Sequence, residues 1–213
     1  MARIDDFILA RSLSRKELAG KDIESITRFS GAFSNKDMQG QLKSISIKFL
    51  GRVINISWPE MEFSWNDSAG EIPIQQQVLL LHYLNGAYNA AAGGRVEEWI
   101  SFQDLPEGRF YMDAFIKRAK NPLLETFGSN PKKMAELAIK IYNASPGAFG
   151  DCSVIVQALP MIPVVLVLWE GDDEFAPEGN ILFDRGISSI MSAEDIAWLA
   201  GMVVYPLVGM AKK

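Results

Sequence analysis

The sequence predicts an α+β fold with a mainly antiparallel sheet, a buried central helix and a C-terminal helix. Three observations carry that reading. Ile45, Ile47 and Phe49 alternate with polar residues, and Ile54, Ile56 and Trp58 repeat the pattern beyond LGR, as a hairpin requires. The stretch Pro73 to Ala92 is helical in character and apolar nearly all round, which suits a helix buried on every side. Two β-branched runs, CSVIVQAL and VVLVLW, are joined by PMIP. Parallel βαβ alternation is not evident.

The remaining elements follow from local chemistry. Ser14-Arg-Lys-Glu17 has the capping-box spacing and predicts the start of a short helix. Asp22 is placed to cap a second one, with Ile23, Ile26 and Phe29 along one side and Gly31 as its stop. EEWISFQDLPEGRFYMDAFIKRA predicts a turn at Leu105 to Gly108 followed by a helix. Asn130 and Pro131 start another, which runs to Asn143 before SPG ends it. VIVQAL and VVLVLW are expected to be adjacent antiparallel strands, since Pro160 and Pro163 confine their connection to a turn. The near-continuous apolar run of the second suits burial on both faces. ILFD is a third strand, and Ser192-Ala-Glu-Asp195 caps the last helix. That helix carries Glu194, Asp195 and Pro206, so it reads as a core helix rather than a charge-free span of about 20 residues.

Composition narrows the function classes. Of 213 residues, 48% are hydrophobic and 22% charged, which suits a globular core. No composition break separates the halves, so residues 1–213 read as a single domain, with 1–21 as an N-terminal helical extension. A net charge of −5 and a pI near 5.0 provide no attraction for nucleic acid. There is no basic cluster for an anionic membrane either; Lys212 and Lys213 form only a short tail. Cys152 is the only cysteine, so the chain forms no internal disulfide and holds no multi-cysteine zinc or iron–sulfur site. The start, MARIDDFILARSLSRKEL, matches neither a secretory signal nor a transit peptide, and the expectation is a soluble cytoplasmic protein.

WEGDDEF follows the apolar run VVLVLW directly. Glu170, Asp172, Asp173, Glu174, Glu178 and Asp184 lie within fifteen residues, opposed only by Arg185. Hard divalent cations take several oxygen ligands, and Asp172, Glu174 and Asp184 are the candidate metal set if Asp184 returns to the same end of the sheet. The spacing does not fit the calcium-loop pattern, and the same acids also read as a solvated turn that keeps a sheet edge soluble. Adjacent carboxylates repel, so a cation such as Arg109 is expected nearby. GDDEF has the single glycine Gly171, preceded by Glu170, where the GGDEF signature of diguanylate cyclases has two, and that reading is rejected.

His82, the sole histidine, lies in LLLHYL and is expected to be largely buried on a long helix. It is either a core residue or the one imidazole available as base or ligand. Arg95, Trp99, Phe102, Arg109, Phe110 and Tyr111 gather around one turn. Aromatics beside an arginine line planar-ligand pockets or clamp anions; alternatively Trp99, Phe102 and Phe110 anchor the core and Arg109 pairs with the acidic turn. The ligand-binding candidates are His82, Trp99, Arg109, Tyr111 and Asp151. No catalytic residue is assigned.

FSGAF near Ser30, the strand pair ending in ISWPE, LLLHYLNGA, EEWISFQDLPEGRFY, LPMIPVVLVLWEGDDEF and ILFD with AED resemble, in this order, the family called domain of unknown function 3786. The resemblance covers residues 22–207. It implies a cytoplasmic domain of anaerobic bacteria and archaea. Its recurrent polar positions fall on His82, Arg109, Tyr111, Asp151, Asp172, Glu174, Asp184 and Asp195. Gln103 stands where the F-R-E-L-P form has arginine, which weakens any anion-binding role of that segment. Some relatives carry a four-cysteine iron–sulfur module that this chain lacks, so the association points to anaerobic redox or corrinoid and one-carbon metabolism. Three functions follow. One is a small-molecule or cofactor-binding accessory domain, with a pocket between segment 99–111 and the acidic turn and a redox or corrinoid protein as partner. Another is an enzyme using a divalent cation held by Asp172, Glu174 and Asp184. The last is an interaction module that docks through its C-terminal helix.

Overall fold

The structure, a computed structural model, describes residues 4–40, 42–91 and 96–212. Ala92, Arg95 and Lys213, named above, lie outside them. The chain separates into two compact units, and its strands form two sheets. The first unit comprises Met1–Gly94 with the short segments Leu159–Met161 and Ser189–Met191.

Helix α1 (Ile4–Ala19) carries Asp5 and Asp6 in its first turn, where acids favour the helix dipole. Ser14 does not start this helix. It sits buried within it, because helix-forming residues upstream carry the backbone through the Ser14–Glu17 pattern. α2 (Ile23–Ser30) begins and ends as its caps dictate: Asp22 accepts a hydrogen bond from the Ser25 N–H, and Gly31 adopts a left-handed φ of 65°.

The strands β1 (Phe33–Lys36), β2 (Leu42–Phe49), β3 (Arg52–Ser57) and β4 (Phe63–Trp65) then form an antiparallel sheet in chain order. The β2–β3 hairpin turns at Leu50 and Gly51, both at positive φ, the backbone that lets a two-residue turn follow strand twist. Ile45, Ile47, Phe49, Ile54 and Ile56 are buried along one face. α3 (Ile74–Ala90) packs against α1 and α2 and buries Val78 to Leu81, Tyr83 and Leu84. The buried Tyr83 hydroxyl donates to the Ser30 carbonyl (2.6 Å) and accepts from the Met161 N–H (3.1 Å), and burial pushes its pKa well up.

The second unit holds a five-stranded sheet. Its strands are β5 (Trp99–Ser101), β6 (Ser145–Pro146), β7 (Cys152–Leu159), β8 (Ile162–Trp169) and β9 (Glu178–Asp184), in the order β5-β9-β8-β7-β6. β7 and β8 are neighbours joined across Pro160 and Met161, and β8 is buried along its length except at Trp169.

Around this sheet lie α4 (Gly108–Phe115), α5 (Asn121–Phe127), α6 (Pro131–Tyr142) and α7 (Ala193–Ala211). α4 and α5 are linked by a π-helical segment, Ile116–Lys120, in which the Asn121 N–H bonds to the Ile116 carbonyl five residues back. Pro122 accounts for it: proline has no N–H, and in α register its ring collides with the carbonyl four residues earlier. Asn130 caps α6 by accepting from the Lys133 N–H, and Asn143 ends it at positive φ. Phe102 stacks on Phe115 at 4.3 Å between ring centres, and Phe183 meets both edge-on. α7, capped by Ser192, is long and apolar enough to cross a membrane by composition alone, yet 56% of its most apolar stretch is buried inside the protein. The fold is α+β.

Candidate functional site

β8 ends at Trp169 and β9 begins at Glu178, so WEGDDEF forms the connection between two paired strands. The loop closes on itself. Asp172 Oδ1 accepts from the N–H groups of Glu174 (2.8 Å) and Phe175 (2.7 Å), and the Asp172 N–H donates to the Phe175 carbonyl (2.9 Å). Those two backbone donors hold the Asp172 carboxyl below the usual carboxylate range. Asp151 fastens the loop's first residue, accepting from the Glu170 N–H at 2.8 Å. The turn therefore lies where the sequence puts it, at the end of VVLVLW.

Two open clefts border this loop. One, of about 560 Å³, runs between residues 128–132 at the α5–α6 junction and residues 170–177; Lys132 is its cation. The other, of about 630 Å³, is lined by Lys120, Leu124, Trp169, Glu170, Phe175 and Pro177 together with Ala176, Glu178 and Gly179. Trp169 is 38% exposed and Phe175 70%, although both are large and apolar. Cys152 lies close by, its Sγ donating to the Pro131 carbonyl at 3.4 Å. Burial first, and then the Glu170 charge, push its thiol pKa up, so it is not a ready thiolate.

The proposed metal set is not assembled. Trp169 pairs with Glu178 whereas Val164 pairs with Phe183, so Asp184 lies at the opposite end of β9 from the acidic loop. Six residue steps of strand separate Glu178 from Asp184, roughly 20 Å. Asp184 is 2% exposed and accepts from the N–H groups of Val96 (2.8 Å), Glu97 (2.7 Å) and Gly186 (2.8 Å), which is a structural role. Among the described residues no group of three His, Cys, Asp or Glu side chains is placed to hold a metal ion.

The other candidates are also dispersed. Trp99 pairs with Asp184 in β5, so segment 99–111 starts at the far end of β9 and lines neither cleft. Trp99 is half-buried, edge-on to Phe149. Arg109 is exposed on α4, and Phe110 is 87% exposed rather than a core anchor. The Tyr111 hydroxyl donates to Glu194 (3.4 Å), whose negative charge raises the phenol pKa. His82 lies on α3 in the first unit and is mostly buried, as its apolar neighbours predict. The pocket expected between segment 99–111 and the acidic turn is replaced by clefts whose other walls are Lys120, Leu124 and residues 128–132. Sequence reading missed these. The legible signal was Phe175, an apolar residue inside a run of acids.

Fold and site together define an α+β domain with open clefts of mixed polar and apolar lining. The chain belongs to the family described as Domain of unknown function (DUF3786), whose profile matches residues 22–205. The matched span begins after α1. No curated protein and no solved structure matches the chain.

Proposed function

We propose that this protein is a small-molecule or cofactor-binding accessory domain that uses the clefts beside loop 170–177. The observation that carries the reading is the exposure of Trp169 on the cleft of about 630 Å³ and of Phe175 on both that cleft and the one of about 560 Å³. Small-molecule sites span about 300–1,000 Å³ and combine apolar walls with a few polar groups. Leu124, Pro177 and the two aromatics supply the walls; Glu170, Glu178 and Lys120 supply the polar groups. Anaerobic redox or corrinoid and one-carbon metabolism in the cytoplasm, with a redox or corrinoid protein as partner, is the setting that the family resemblance suggests. A metal-assisted enzyme has less support, because Asp184 is committed to backbone donors far from Asp172.

Two measurements test the reading. An absorption spectrum of protein purified anaerobically identifies a bound corrinoid, haem or flavin. Amide NMR of residues 169–179 during titration with amines, carboxylates, nucleotides, flavins and cobalamin is expected to show saturable shifts with at least one class. A panel in which none of these ligands perturbs the cleft residues overturns it.

A further inference from the structure

We infer that the clefts select a small organic cation with an apolar or planar body. This rests on the ligand-binding reading above and adds the sign of the ligand's charge.

Trp169 and Phe175 border the larger cleft together with Leu124 and Pro177, and both residues are exposed. An aromatic ring face is the negative end of a quadrupole and attracts a cation placed over it. Anions meet the reverse sign.

The carboxylates reinforce that preference. Glu170, Asp172, Asp173, Glu174 and Glu178 border the two clefts, against Lys120 and Lys132. Among the described residues, none of these seven side chains is engaged in an ion pair. Glu170 and Glu178 flank the aromatic wall, so one ligand can lay its body on Trp169 or Phe175 and point its charge at a carboxylate. A charge-assisted contact of that kind is about twice as strong as a neutral hydrogen bond. Asp172 already spends one oxygen on the backbone of Glu174 and Phe175, so Glu170 and Glu178 are the charge-reading residues. The same five acids disfavour phosphate-bearing ligands.

The test uses the full chain and three probes of nearly equal shape: 2-phenylethylamine, 2-phenylethanol and phenylacetate. Binding is read from amide shifts of residues 169–179. The amine is expected to bind saturably, about tenfold tighter than the alcohol, with phenylacetate weakest, and added salt should weaken the amine alone. Glu170→Gln with Glu178→Gln should lower amine affinity about tenfold and leave the alcohol unchanged. Trp169→Leu should lower it about threefold. If that variant fails to fold, Phe175→Ala, at an exposed loop position, serves in its place.

The inference is overturned if the alcohol or phenylacetate binds as tightly as the amine, if the double glutamine variant keeps the amine's affinity, or if the amine leaves these amides unmoved. Should another ligand class then shift them, the clefts bind small molecules but do not read positive charge. Should no class do so, both readings fall.

Discussion

Asp151 Oδ2 accepts a 2.8 Å hydrogen bond from the backbone N–H of Glu170, while the Asp151 N–H donates to the Leu168 carbonyl at 3.1 Å. The start of β7 thereby fixes where the cleft loop leaves β8. Asp151→Ala is expected to cost about 1 kcal/mol, read as a fall in Tm of about 2–4 °C. Ligand affinity at the clefts should fall with it. An unchanged Tm together with unchanged affinity would show that the loop holds its position without this bond.

Asp184 is expected to be the most sensitive acid in the second unit. Asp184→Ala leaves three backbone N–H groups without their acceptor, two on residues 96–97 and one on Gly186. A hydrogen bond to a charged acceptor is worth about 1.5–3 kcal/mol, and water takes over part of that at the exposed Val96 and Glu97, so denaturant unfolding should register a loss of about 2–3 kcal/mol. Asp184→Asn should fall between the two, since a carboxamide keeps one acceptor oxygen. Magnesium, calcium and manganese are expected to leave the Tm of the parent protein unchanged. A saturable rise with any of them would mean that a metal site exists elsewhere in the chain.

Acid should destabilise the protein below about pH 4. The Glu17 carboxyl is held below its ordinary value, chiefly by its bond to Lys21 Nζ (2.7 Å), an ammonium also held by Asn85 (2.8 Å) and Asn89 (3.0 Å). Asp172 is lowered by backbone donors. A carboxyl whose pKa is depressed on folding contributes stability above its unfolded value and loses it as pH falls through the folded one. Tm followed from neutral pH to acid should therefore drop, and Glu17→Gln should remove part of the drop. A variant with the same pH profile as the parent would show that Glu17 is not linked to folding.

Gly86→Ala separates helix propensity from packing. In an exposed helix this change stabilises by about 1 kcal/mol. Here a Cβ on Gly86 would lie 1.8 Å from the Ile190 carbonyl oxygen, which is backbone and cannot rotate away. A net loss of at least about 2 kcal/mol is expected from the forced shift. A stabilised variant would show that the Ile190 segment yields freely.

Short-range chemistry makes much of the secondary structure legible. Asp22 with Gly31, Asn130 with Asn143, and Ser192 mark helix ends that the structure reproduces, because a cap acts on backbone groups within one turn. The Ile45–Ile56 alternation and the β7–β8 pair are equally readable, since burial on one or both faces imposes a period on the residues themselves. Ser14 shows the limit: the same spacing occurs inside a helix, where upstream residues decide the outcome. β1, β4, β5 and β6 span only two to four residues each, too few to display a period.

The sequence by itself determines the α+β class, the family, the main caps and hairpins, and the position of the acidic loop at the exit of β8. Only the tertiary structure decides which residues share a site. Asp172 and Asp184 sit in one short window of sequence, yet an extended strand carries them apart at about 3.3 Å per residue. Lys120, Leu124 and Lys132 are distant from Trp169 in sequence and meet the loop only because α5 and α6 pack on this unit's core through Leu123, Phe127 and Met134. Caps and periodicity are written in neighbouring residues. Cleft membership depends on which buried faces fit together, and that is settled by the whole unit at once.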